Sequence, residues 1–200
     1  MKPDSTRYLA HFTSLKKGET GATALEKIVK ILKEKKILAS SVPYTGAKVV
    51  CLTECPWTSL IEHANNYSPF GVGFTKDFIF SRHGNPVFYI RPDLFEKQKS
   101  YTNKPFHEHV YPFITPFIPY YCPLNERGNK KICDYTHERE WRVPHDLSFE
   151  YSDIAFIILE DYEAMAKFPK ELKNEIGREK FILLDNYKKI EELWPVHKID

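Results

Sequence analysis

The sequence predicts a single α+β domain, and three observations carry that prediction. Strand-like and helix-like segments are mixed along the chain without a regular βαβ rhythm, which argues against a doubly wound parallel sheet. Aromatic residues are abundant, with 14 Phe, 12 Tyr and 3 Trp, and such residues favour strands and lined clefts. A chain of 200 residues is long enough for one full hydrophobic core and short for two. There is no internal repeat, low-complexity block or Gly/Ser linker, so residues 1–200 read as one domain.

The elements follow in order. Tyr8–Thr13 is a short β-prone run ending in polar residues, and Gly18–Gly21 is a loop. From Thr23 to about Lys35 the spacing gives an amphipathic helix. Leu25, Ile28, Val29 and Leu32 share one face, and Glu26, Lys27, Lys30, Lys33 and Glu34 lie outside. Lys48–Thr53 reads as a buried strand stopped by Pro56. Ser59 with Glu62 three residues later then offers a capping box for a short helix to Asn65. Phe70-Gly71-Val72-Gly73-Phe74 alternates large residues with glycine; this pattern fits close approach by a ligand, and it equally fits a glycine-containing core strand or bulge. A short helix follows through Asp77 to Arg82, and Pro86–Arg91 is a strand with Pro at its start.

Prolines break the aromatic stretch Phe106–Pro123, so regular helix there is short. Residues 105–125 read either as an irregular lid or as an elaborated insertion. Beyond them come a strand Asp153–Leu159, helical segments between Tyr162 and Ile176, a strand Lys180–Leu184 and a closing helix through Leu193.

Charge and cysteines narrow the function classes. The net charge of +2 gives no general electrostatic argument for nucleic acid or membrane binding. Lys27, Lys30, Lys33, Lys35 and Lys36 line one helix, which fits a solvated face and would also serve a transferase acting on nucleic acid. No segment approaches the length of apolar run that a membrane span needs, and Met1–Ser5 lacks a signal-peptide core. The expected location is the cytoplasm. Cys51, Cys55, Cys122 and Cys133 do not match zinc-ribbon or finger spacing, so reduced, largely buried thiols are expected and no structural metal. His107-Glu108-His109 would put two imidazoles on one strand face, without a third ligand nearby in sequence. Walker, GxGxxG, GxSxG and HExxH motifs are absent.

The most informative stretch is His137-Glu138-Arg139-Glu140-Trp141-Arg142. As a strand it puts Glu138, Glu140 and Arg142 on one face, with Trp141 and Val143 pointing at the core. Two carboxylates roughly 7 Å apart repel, so one of them has its pKa raised. That pattern suits acid/base or cation-stabilising chemistry. An exposed strand edge with a plain Glu140–Arg142 salt bridge gives the same three residues.

Taken in order, His11-Phe12-Thr13, the helix ending near Ile37-Leu38-Ala39 and Val49–Glu54 resemble the opening of small bacterial ADP-ribosyltransferase-like domains. The succession of Tyr67, Phe70–Phe74, Pro86–Tyr89 and Glu138–Arg142 is similar to the AbiGi family of abortive phage resistance proteins. The resemblance covers most of residues 8–160. It implies a split mixed or antiparallel sheet flanked by helices, with a cleft for NAD. His11, with Thr13 beside it, would hold the nicotinamide-side ribose or amide. Tyr67, Phe70 or Tyr89 would stack on the nicotinamide. Glu138 would position the acceptor, and Glu140 would be the catalytic carboxylate. A Ser-Thr-Ser type middle motif is missing. The implied role is antiphage defence or a toxin–antitoxin component that transfers ADP-ribose from NAD to a macromolecular acceptor. The alternative is a non-catalytic antitoxin or sensor that grips a protein partner through Tyr111, Phe113, Phe117, Tyr120 and Tyr121.

Overall fold

The computed structural model describes residues 6–15, 20–54, 64, 67–99, 109–123 and 131–193. Its centre is a mixed sheet. The strands are β1 (Tyr8–Phe12), β2 (Lys36–Ile37), β3 (Ser40–Ser41), β4 (Lys48–Thr53), β5 (Gly71–Thr75), β6 (Asn85–Pro86), β7 (Phe88–Ile90), β8 (Ile114–Pro116), β9 (Glu140–Val143), β10 (Leu147–Ser148), β11 (Ile154–Leu159) and β12 (Phe181–Leu183). The main sheet runs β12-β11-β5-β1-β4-β9-β6, with β3 added beside β4. Its pairs are antiparallel apart from β11 and β12. Two small pairs, β10 with β2 and parallel β7 with β8, flank it. The α+β prediction therefore holds.

The helices are α1 (Gly21–Glu34), α2 (Lys76–Ser81), α3 (Pro92–Lys99), α4 (Tyr162–Lys167), α5 (Lys170–Ile176) and α6 (Leu184–Leu193). Helix α1 exists because Ala24, Ile28 and Leu32, one turn apart, are fully buried, while Leu25 and Val29 pack at the margin of the same core. Thr75 caps α2, its hydroxyl accepting from the Phe78 N–H. Helices α4 and α5 carry the chain between the parallel strands β11 and β12, a connection too long for a hairpin.

The glycine strand β5 turns out to be a packing device. Gly73 sits opposite Ala10 on β1 and against Phe156 on β11, where the β5–β11 register slips by a bulge. A Cβ on Gly73 would lie 2.3 Å from the Phe156 ring, and one on Gly71 would lie 2.9 Å from the His11 carbonyl oxygen. The close approach that glycine permits is that of neighbouring strands.

Three local readings change. Pro86–Arg91 is not one strand: β6 pairs with β9, the Val87 N–H donates to the Glu140 carbonyl, and β7 leaves to pair with β8. The described part of the proline-rich stretch holds one 3₁₀ turn (Tyr111–Phe113), strand β8 and a bridge between Ile118 and Cys133. Glu138 is not on β9. It ends a 3₁₀ turn, Thr136–Glu138, and Arg139 takes the left-handed conformation (φ 43°) before the strand begins at Glu140. The capping-box helix at Ser59–Asn65, Cys55, and His107-Glu108 lie outside the described residues, Ala64 apart. The described cysteines Cys51, Cys122 and Cys133 are free thiols and only half-buried.

Candidate active site

The main sheet opens between β1 and β4. Each pairs in full register with its outer neighbour, β1 with β5 and β4 with β9, whereas β1 and β4 share a single opposed pair, Ala10 and Thr53. At the split the His11 Nδ1 lies 2.8 Å from the Cys51 carbonyl oxygen. A carbonyl only accepts, so Nδ1 carries the proton and Nε2 is left as an acceptor. Burial lowers the His11 pKa, against the opposing pull of this hydrogen bond, and the ring is neutral.

The split mouths a cleft of about 560 Å³, within the range of small-molecule and cofactor sites. Leu38, Val42, Pro43 and Pro116 make its walls apolar, and His11, Tyr67, Glu138 and Glu140 supply polar groups. Three elements deliver the acidic part. Strand alternation sends Val50 and Leu52 of β4 into the main core, so Cys51 and Thr53 take the other face. The β4–β9 register sets Cys51 opposite Arg142 and Thr53 opposite Glu140. The Thr53 hydroxyl donates to the Glu138 carbonyl and anchors the 3₁₀ turn.

Glu140 is held firmly. Arg142 Nε and Nη2 donate to its two oxygens at 2.8 and 2.9 Å, a bidentate pair with side chains only 5% and 15% exposed. The Cys51 thiol lies beside this pair; burial first, then the Glu140 charge, raise the thiol's pKa, so it stays protonated. The salt bridge that the sequence allowed is thus present, but it is buried beneath the cleft and does not lie on an exposed strand edge.

Glu138 is different. It is 8% exposed, and the Tyr67 hydroxyl donates to both of its oxygens at 3.1 and 3.3 Å. Burial, then the Glu140 charge, raise its pKa, against the lowering effect of Tyr67 and His137. The Tyr67 phenol is in turn pushed up by burial and by Glu138. The two carboxylates therefore sit in contrasting surroundings, one clamped by a cation and one desolvated beside a phenol.

The remaining sequence candidates do not reach the cleft. Thr13 is buried, its hydroxyl 2.6 Å from that of Ser68. Phe70 is a core residue, 2% exposed. Tyr89 donates to the Tyr135 carbonyl at 3.0 Å, and burial pushes its phenol up to about 12. Sequence reasoning missed Cys51, Thr53 and Tyr135 as lining residues; the only signal for the first two was alternation along β4. No group of three or more metal-ligating side chains occurs among the described residues, nor does any helix long and apolar enough to cross a membrane.

The fold and site define an α+β protein with a sheet split around a carboxylate-lined cleft. A family model described as "Putative abortive phage resistance protein AbiGi, antitoxin" matches residues 20–183, and the chain belongs to that family. No curated protein and no solved structure matches it. The family description supports a role in abortive phage resistance on the antitoxin side, and with it a cognate toxin as partner.

Proposed function

We propose that this AbiGi-family chain uses its cleft to bind NAD and transfer ADP-ribose to a macromolecular acceptor. The observation that supports this reading is the convergence of His11, Tyr67, Glu138 and Glu140 on one cleft at the sheet split. NAD supplies a ribosyl–nicotinamide bond whose cleavage leaves an oxocarbenium-like ribose. Glu140, fixed by Arg142, stabilises that developing positive charge, as carboxylates do in glycoside cleavage. Glu138 takes the proton from the attacking hydroxyl or amine, a task that its raised pKa suits. The bonding electrons leave with nicotinamide, and the acceptor oxygen or nitrogen closes on the ribose carbon. His11 offers Nε2 as an acceptor for a ribose hydroxyl or the amide N–H. Of Tyr67, Phe70 and Tyr89, it is Tyr67, 37% exposed, that lines the cleft and fits a stacking role.

The test is release of free nicotinamide from NAD by the purified chain. Wild-type turnover is expected, with Glu140→Gln lowering it at least 100-fold while the protein stays folded by circular dichroism. Turnover at the wild-type rate in that variant removes Glu140 from the mechanism.

A second reading has its own support: a non-catalytic antitoxin that binds its toxin. Tyr120, Tyr121 and Tyr135 are 70%, 67% and 53% exposed, and the Ile118–Cys133 bridge ties the Tyr120 segment to the one carrying Tyr135. Exposed aromatics of this kind serve as interface anchors. A stable complex with the cognate toxin, together with no nicotinamide release, selects this reading.

A further inference from the structure

Arg142 does more than neutralise Glu140. Its Nη1 donates to the carbonyl oxygens of Pro112 and Ile114 at 3.0 and 2.9 Å, while Nε and Nη2 hold Glu140. One buried guanidinium therefore joins the carboxylate on β9 to the backbone of the proline-rich segment. That segment continues into β8, whose Thr115 and Pro116 line the cleft. The planar fork is what makes the arrangement work: two donors face the carboxylate, and Nη1 faces two carbonyls that a lysine ammonium could not reach at the same time. The carbonyls also satisfy the guanidinium edge that would otherwise be buried without partners. Replacing Glu140 weakens the hold on Nε and Nη2, and replacing Arg142 takes the shared donor from the Pro112 and Ile114 carbonyls, so the carboxylate and the cleft wall are tied through one group.

We propose that Arg142 is a positioning residue that fixes Glu140 and the Pro112–Pro116 wall as one unit, so that the seat of this segment sets the aim of the carboxylate. Its kinetic consequence rests on the ADP-ribosyl transfer reading; the mechanical coupling does not. Pro112 and Pro116 limit the backbone freedom of the segment. The Phe117 N–H donates to the Ile90 carbonyl and the Ile118 N–H to the Cys133 carbonyl, and these two amides report whether the wall is seated.

The experiment measures amide hydrogen exchange in the full chain for wild type, Glu140→Gln and Arg142→Lys, alongside nicotinamide release. Exchange at Phe117 and Ile118 is expected to quicken at least 10-fold in both variants, while Ile157 and Ile158 in β11 keep wild-type protection. Unchanged exchange at Phe117 and Ile118 in Glu140→Gln overturns the proposal, and this variant keeps the test valid if Arg142→Lys does not fold. In the kinetic arm, Arg142→Lys is expected to lower kcat about 100-fold with KM within about threefold, as loss of aim predicts. Wild-type kcat in a folded Arg142→Lys overturns the positioning role. A wild-type chain that releases no nicotinamide instead removes the transfer reading, and the exchange result then decides the coupling by itself.

Discussion

Substituting Gly73 with alanine separates the two meanings that the glycine strand carried in the sequence. The added Cβ would meet three Phe156 ring atoms at 2.3, 2.3 and 2.6 Å, where van der Waals contact between carbons needs about 3.5 Å. The ring must retreat by roughly 1 Å from the β5 backbone. The ring also packs against Tyr8 in a T-shaped contact at 5.8 Å between centroids, and its retreat disturbs that contact. Overpacking of this kind is expected to lower stability by about 1–3 kcal/mol. In a chain of this size that amounts to roughly 2–4 °C of Tm per kcal/mol. Urea unfolding of the wild type, Gly73→Ala, Phe156→Leu and the double variant forms a double-mutant cycle. The leucine side chain vacates part of the space the methyl needs, so the double variant is expected to regain about 1 kcal/mol relative to additivity. Gly73→Ala with wild-type stability but lost NAD binding would refute the packing argument and return the glycine to a ligand.

Two further predictions concern carboxylates near the split. Burial raises the Glu138 pKa in the folded state, so the folded chain holds this proton more tightly than the unfolded one. Its contribution is therefore most favourable below the unfolded carboxylate value and is lost as pH rises through the folded one. Glu138→Gln keeps an acceptor for Tyr67 and removes the charge. It is expected to raise Tm relative to wild type near pH 8, with the gain vanishing below about pH 4. A gain independent of pH across thermal melts would sink this account. Glu54, by contrast, is a structural group at the end of β4, pairing with Lys76 at 2.6 Å and accepting from the Trp141 indole at 3.3 Å. Glu54→Ala removes both contacts and is expected to lose about 1–3 kcal/mol in urea unfolding; a loss below about 0.5 kcal/mol would show that water replaces it.

Local signals in the sequence made much of the fold legible, and long-range ones hid the rest. The Val-Val-Cys-Leu run of β4 and the four-residue repeat of α1 encode their own burial, and both elements fall where periodicity puts them. Pro86–Ile90 shows a continuous β pattern, yet it divides because Val87 meets Glu140 and Phe88 meets Ile114; neither partner is local. The turn at Arg139 has no sequence mark, since a non-glycine residue at φ 43° is uncommon and is stabilised here by its surroundings. Glu138 thus reached the same cleft as Glu140 by a route that strand alternation did not describe. The burial of Arg142 was equally illegible, because its partners Pro112 and Ile114 lie about thirty residues upstream.

The position of the cleft follows from one incomplete strand pair. If β1 and β4 continued their pairing beyond Ala10 and Thr53, the Cys51 carbonyl would accept from a backbone N–H and the sheet would close. The His11 imidazole takes that acceptor instead, which satisfies a buried carbonyl without bringing the two backbones together. Cys51, Thr53, Glu140 and Arg142, opposed in register on β4 and β9, border the cleft beside this junction. A buried carboxylate and guanidinium are tolerable there because they pair with each other, and the spare donors find the carbonyls of the proline-rich segment. The junction therefore bears at once on the cleft, on the charged pair beneath it, and on the tie that holds Thr115 and Pro116 in its wall.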